Sequence, residues 1–221
     1  MARPARVADR WAWVLPVCDI LFPPVCVACG AIVEDSGYRY LCAACAGHIE
    51  FSAGPNGGLA PTAVVLRGPA RALVHAYKYR GARHLRRDMS RIVQRAPWLL
   101  DHVRGAVLVP VPLHPRRERE RGFNQSDQLA RALARAAGGG TRVSPVLRRI
   151  RDTAPQAGLD RPSRLANLKN AFALAPHATL NLRLRHIIVD DVLTTGSTLQ
   201  GCAQALREAG CVTLAAAFAQ G

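Results

Sequence analysis

The sequence predicts an α/β domain built on a mainly parallel sheet, preceded by a small four-cysteine module. Three observations carry this. Short apolar runs alternate with segments of helical period, the pattern of strands joined by crossover helices. A C-x2-C-x12-C-x2-C pattern stands near the amino terminus. The 221 residues are 49% apolar and 20% charged, a globular composition that excludes a disordered or low-complexity chain.

Taken in order, the Gly- and Pro-rich stretch 46–60 reads as a boundary between residues 1–55 and 56–221. Thr62 to Leu66 is a β-branched run and predicts a strand. Arg71 to Lys78 and Arg83 to Ala96 predict helices, split at Tyr79-Arg80-Gly81. Ala106 to Val111 is continuously apolar, as a strand buried on both faces should be. Gln125 to Ala137 places Leu129, Leu133 and Ala136 on one helical face, and the run Gly138-Gly139-Gly140 stops it. Arg148 to Asn167 is basic and interrupted by Pro155 and Pro162, which predicts a loop with a short helix. His186 to Val189 predicts a second buried strand, Ser197 to Ala209 a helix ended by Gly210, and Val212 to Phe218 a last strand.

The cysteines carry the first chemistry. Cys26, Cys29, Cys42 and Cys45 form two CxxC knuckles, each aiming two thiolates at one point. Zinc takes four soft ligands in a tetrahedron, so the expected ion is a structural Zn²⁺ with no open position; an iron–sulfur centre is the alternative for four cysteines. Seven cysteines cannot all pair as disulfides, and CxxC usage points to a reducing compartment. Cys202 and Cys211 read as small core residues.

The second motif is HIIVDDVLTTGSTL, residues 186–199. A buried strand runs into Asp190-Asp191, and Thr194, Thr195, Gly196, Ser197 and Thr198 precede a helix. Backbone N–H groups and hydroxyls at a helix start cradle a phosphate, and the two carboxylates suit the vicinal hydroxyls of an attached sugar. A plain capped helix behind a tight turn, with two solvated aspartates, is the competing reading.

Arg116, Arg117, Arg119 and Arg121 occupy a loop after the Ala106–Val111 strand, and Arg148, Arg149, Arg151, Arg161 and Arg164 a second one. Arginine forks suit phosphate oxygens. The first loop leads into Gly122-Phe123-Asn124-Gln125, where Asn124 can be simply the N-cap of the next helix. The net charge of +15 favours an anionic partner. Lysine contributes only Lys78 and Lys169, so compositional bias toward arginine accounts for part of that excess.

At the amino terminus Arg3, Arg6 and Arg10 precede an apolar stretch, but Pro16, Asp19, Pro23 and Pro24 interrupt it. No clean run of about 20 apolar residues remains. The expectation is a lead-in whose Trp11, Trp13, Leu15, Ile20, Leu21 and Phe22 pack onto the body of a cytoplasmic protein with no membrane span.

V-D-D-V-x-T-T-G-S-T resembles the phosphoribosyl-pyrophosphate (PRPP) signature of type I phosphoribosyltransferases. VPVPLHPRRERERGFNQ (109–125), Tyr77-Lys78-Tyr79, the spacing Gln156…Arg164…Asn167…Phe172 and the PPVCVACG…CAAC segment are similar to the ComF competence-protein family, in order and over nearly the whole chain. The resemblance implies a type I phosphoribosyltransferase-like fold behind a zinc-ribbon-like module. It implies that Asp190 and Asp191 hold the ribose of PRPP as the catalytic pair, and that Thr194, Thr195, Gly196, Ser197 and Thr198 take the 5′-phosphate. Lys78, Tyr79 and Arg80 would then lie near the pyrophosphate, with Mg²⁺ bridging ligand oxygens. It implies PRPP or a related phosphoribosyl compound as ligand, and transfer of the pentosyl group to an acceptor the sequence does not name. Single-stranded DNA, contacted through Arg116, Arg117, Arg121 and Arg164, a DNA-uptake helicase and other competence proteins are the partners it suggests. A DNA-binding competence factor with a regulatory or non-catalytic PRPP pocket is the second reading. His75, His84, His114 and His186 are all candidates for a general base, and none stands out.

Overall fold

The structure, a computed structural model, describes residues 22–54, 60–79, 82–151 and 171–221. Its centre is a five-stranded, all-parallel sheet in the order β1-β7-β6-β2-β3. The strands are β1 (Thr62–Val65), β2 (Val107–Pro110), β3 (Arg142–Val143), β6 (His186–Leu193) and β7 (Thr213–Gln220). A separate antiparallel pair, β4 (Leu147–Arg149) and β5 (Phe172–Leu174), sits outside it. All four residues of β2 are buried, which is why it reads as an unbroken apolar run.

The helices are α1 (Ala43–Gly47), α2 (Gly68–Tyr79), α3 (Arg86–Gln94), α4 (Pro97–Val103), α5 (Pro115–Arg121), α6 (Gln125–Ala137) and α7 (Ser197–Glu208), with a 3₁₀ turn over Arg83–Leu85. Helices cover both faces of the sheet. Alternate residues of β6 show this: Ile187 and Val189 join Leu73, Ile92 and Leu133 from α2, α3 and α6, while Ile188 joins Cys202 and Leu206 of α7 and Phe172 of β5. Successive side chains of a strand point to opposite faces, so each face feeds its own core.

The sequence reading needs correcting at four places. The predicted helix over Arg83–Ala96 is a 3₁₀ turn plus α3, and α4 follows from Pro97. Pro97 accounts for the break between the two helices: it disfavours helical backbone at Ala96, and it suits the first position of a new helix. The arginine loop after β2 is helix α5, with Pro115 in its first turn and His114 as its cap. Arg148 and Arg149 belong to strand β4, not to a loop. Phe22 does not pack onto the body; it is 80% exposed. Trp11, Trp13, Leu15, Ile20 and Leu21 lie outside the described residues, as do Arg80, Arg161, Arg164 and most of the predicted loop and helix between Arg148 and Asn167. Among the described residues no helix is long and apolar enough to cross a membrane.

The cysteine module and the sheet domain share one core. Cys26, Leu41, Ala46 and Ile49 pack in the same cluster as Leu73, Met89 and Ile92. Residues 50–52 run antiparallel to β1, through Val65 N–H to Glu50 O and Ser52 N–H to Ala63 O. The edge of the sheet is thereby covered by the module's own chain.

Candidate functional site

The first knuckle is a tight turn. Cys26 N–H donates to Ala31 O, and Gly30 N–H returns to Cys26 O. Gly30 sits at φ +78°, a left-handed conformation that glycine adopts without strain. In the second knuckle Cys42 caps α1, its Sγ accepting from Cys45 N–H at 3.5 Å. The four Sγ atoms lie within 4.8 Å of one another, and Cys29 and Cys42 are 3.7 Å apart. A tetrahedral Zn–S₄ centre with bonds of ~2.3 Å has sulfurs ~3.8 Å apart, so the donor set fits zinc.

Electrostatics agree. Burial pushes the Cys26 thiol up, but backbone hydrogen bonds from Cys42, Cys29 and Ala28 outweigh it and bring the thiol down to about 6. Burial and the neighbouring sulfurs of Cys29, Cys26 and Cys42 push Cys45 up. Four crowded thiolates need a cation among them, and a structural Zn²⁺ supplies it. The module is anchored by Asp88 of α3, which is fully buried. Its Oδ1 accepts Arg39 N–H at 2.9 Å and its Oδ2 accepts Tyr40 N–H at 2.7 Å. Tyr40 O in turn accepts Val27 N–H of the first knuckle.

A second site lies at the carboxyl edge of the sheet. From β2 the chain proceeds to β3 on one side, and from β6 to β7 on the other. The crevice between β2 and β6 is therefore the topological switch point, where such sheets bind ligands. A cavity of about 840 Å³ opens there, with Asp190, Asp191 and all of Thr194 to Thr198 in its wall.

The two aspartates are placed differently. Asp191 forms a 2.9 Å ion pair with Lys78 at the end of α2, with side chains 10% and 22% exposed. Asp190 Oδ1 accepts from Ser126 Oγ at 3.0 Å and from Asp191 N–H at 2.8 Å. Desolvation, then the negative charge of Asp191, push Asp190 up to about 7; Lys78, the Asp191 N–H and Ser126 oppose this. The strand continues through both aspartates to Leu193, beyond the predicted end at Val189.

Helix α7 begins at Ser197 behind Gly196, at φ +76°. Gly196 has no side chain to cap the helix, and Thr195 and Ser197 share a 2.6 Å hydroxyl contact. A helix start without a side-chain cap, flanked by hydroxyls, suits an anion.

Of the predicted arginines, Arg117 and Arg121 line the cavity. Arg116 does not join them; it makes an exposed 3.1 Å pair with Glu120, one turn along α5. Arg71 and Arg149 also line the wall. Tyr79 ends α2, beside the cavity residue Lys78, and Arg80 lies outside the described residues. Asn124 is the N-cap of α6: its Oδ1 accepts from Ser126 N–H, and its Nδ2 donates to Val111 O at 3.0 Å. Gln125 and Ser126, the next two residues, reach the cavity and were not picked out from the sequence. Their legible signal is the Asn124 cap, which marks the helix start that they occupy.

Among the described residues no histidine lines this cavity. His84 packs tilted against Tyr40, His114 caps α5, and His186 is buried at the amino end of β6, far along the strand from the crevice. Burial lowers His84 and His186, which keeps their imidazoles neutral. Cys202 is fully buried and its thiol is pushed well up, and Cys211 is buried too, so both are core residues.

Comparison with known proteins adds the following. The double zinc ribbon domain family matches residues 17–56. The chain is similar to Competence protein F of Haemophilus influenzae, 40% identical over 103 residues, 47% of this chain and 44% of that protein. It is similar to DNA utilization protein YhgH of Salmonella typhi, 38% identical over 151 residues, 66% of this chain and 64% of that protein. It is also similar to Competence protein ComFC of Bacillus subtilis, 35% identical over 104 residues, 47% and 39% of the two chains. The chain thus spans less than two thirds of the length of these relatives.

Proposed function

We propose that this chain is a ComF-family protein that acts in the uptake or use of DNA, and that its crevice binds PRPP with Mg²⁺ as a phosphoribosyltransferase does. The observation that carries the second half is the single cavity wall shared by Asp190, Asp191 and the Thr194–Thr198 loop at the switch point. The loop and the start of α7 take the 5′-phosphate. The carboxylates face the ribose hydroxyls. Arg117 and Arg121, with Lys78 once released from Asp191, offset the negative diphosphate.

Mg²⁺, bound with the ligand, neutralises diphosphate charge; the hard carboxylate oxygens of Asp190 and Asp191 are the donors here that suit it. In transfer the bond from ribose C1 to the diphosphate oxygen breaks, the acceptor's electron pair forms the new bond to C1, and the acceptor's proton leaves to solvent. The transition state carries positive charge on the ribose, which two adjacent carboxylates stabilise. No histidine lines the cavity among the described residues, and Asp190, pushed up to about 7, is the described cavity group whose proton affinity suits a base.

A DNA-binding role is favoured by one observation: a net charge of +15. Contacts of that kind weaken steeply with salt, whereas a Mg²⁺-dependent pocket does so less. Calorimetric titration with PRPP and Mg²⁺ tests the pocket. Wild type is expected to bind and Asp191→Asn to lose binding. Absence of binding by wild type would leave a phosphate-loop fold used as a basic, DNA-contacting module.

A further inference from the structure

Gln125 is the first residue of α6 and is 1% exposed. Its Oε1 accepts from Arg121 Nη1 at 3.2 Å, which fixes the amide's orientation and turns the NH₂ group the other way. That Nε2 is buried and has no hydrogen-bond partner among the described residues. A buried donor without a partner is costly to keep, and folded proteins retain few of them. Gln125 belongs to the wall of the crevice, which Arg117, Arg121 and Arg149 also line, together with Glu120, the single glutamate among its described residues. Its neighbours on both sides are committed elsewhere: Asn124 to the cap and to Val111 O, Ser126 to Asp190.

We infer that Gln125 is a ligand-contacting residue, whose NH₂ donates to an anionic, phosphate-type oxygen of the molecule bound at the arginine-lined end of the crevice. The three arginines make that end favourable for a multiply charged oxyanion. A neutral amide held by Arg121 adds a directed donor without adding charge. Gln125 opens the helix on the β2 side of the switch point, whereas the Thr194–Thr198 loop follows β6. The role deepens the PRPP reading and rests on it for the identity of the ligand.

Because the amide donor is unmet in the free protein, its removal leaves a distinctive signature. Gln125→Met removes the unmet NH₂ donor, which favours stability, and also the acceptor of Arg121 Nη1, which opposes it, while one ligand hydrogen bond is lost. Gln125→Met is therefore expected to melt near the wild-type temperature and to bind PRPP–Mg²⁺ about tenfold more weakly. Ribose 5-phosphate, which lacks the diphosphate, is expected to bind both proteins alike. In Gln125→Glu the carboxylate keeps its partner Arg121 but faces the ligand's anion, so the fold is expected to persist and the PRPP loss to be larger. Titration of wild type, Gln125→Met and Gln125→Glu with PRPP and ribose 5-phosphate, paired with thermal melts, tests this. Equal PRPP affinity in wild type and Gln125→Met overturns the inference, as does an equal loss for both ligands. A destabilised Gln125→Met with unchanged affinity also overturns it, by making the amide a structural one. If wild type itself binds no PRPP, the PRPP reading fails first, and titration with inorganic pyrophosphate then decides Gln125: weaker binding by Gln125→Met supports the contact, and equal or absent binding overturns it.

Discussion

Replacing Asp88 with alanine should loosen the zinc module from the sheet domain. The fully buried carboxylate accepts two backbone N–H groups, from Arg39 at 2.9 Å and Tyr40 at 2.7 Å. Hydrogen bonds to a charged acceptor contribute about 1.5–3 kcal/mol each, so losing both, with two donors left inside the joint, costs about 3 kcal/mol or more. For a chain of this size that is a fall of about 6–12 °C in Tm. Asp88→Asn keeps the volume and one acceptor but sets its NH₂ against an N–H, and should lose at least half as much. Asp101→Ala is the contrast. Asp101 is 71% exposed and paired with Arg104 at the surface, and its loss should cost no more than about 0.5 kcal/mol. Urea denaturation of the zinc-loaded protein reads all three. If Asp88→Ala unfolded within about 0.5 kcal/mol of wild type, the anchoring role argued for this carboxylate would be wrong.

Three other outcomes are expected. Metal analysis should find one zinc per chain, and Cys29→Ser should lower both zinc content and melting temperature, since the four Sγ atoms form one cluster within 4.8 Å; unchanged content would count against a Cys₄ site. Asp190, raised from 3.8 to about 7, binds its proton more tightly folded than unfolded. Its contribution to stability is therefore full below about pH 4 and falls as pH rises towards 7. Asp190→Asn, which keeps an acceptor for Ser126, should gain stability over wild type at pH 8 and little at pH 4; an equal difference at both would refute the shift. Lys78→Met should raise Asp190 further, by removing the cation that opposes its protonation, and a carboxyl titration followed by NMR would show it.

Much was legible in the chain before folding was considered. The Cys26–Cys29 and Cys42–Cys45 spacing carries its own geometry, because a CxxC turn brings two sulfurs together within a few residues. The buried strands β2 and β6 are read from continuous apolar runs, since both their faces are covered. The Asp190–Thr198 string is local as well: strand, loop and helix start follow one another in the chain, so its backbone shape needs no distant partner.

Other features depend on residues far apart in the chain. Pro97 ends one helix and begins another, which was readable at its position but was masked by the apolar period on either side. Arginine spacing in 116–121 gives no sign that Arg117 and Arg121 line the cavity while Arg116 makes an exposed pair with Glu120; a helix surface sorts them, and a loop has no such surface. The Lys78–Asp191 pair, the Ser126 hydroxyl on Asp190 and the grip of Asp88 on Arg39 and Tyr40 each join segments dozens of positions apart. By itself the sequence determined the four-cysteine cluster, the alternating elements and the Thr194–Thr198 loop before a helix, because each is a short-range pattern of backbone geometry and polarity. Only the tertiary structure decided which charges face the crevice, which carboxylate is raised, and where a buried amide waits for a partner. Those depend on what the sheet order brings within a few ångströms, where desolvation and Coulomb forces act.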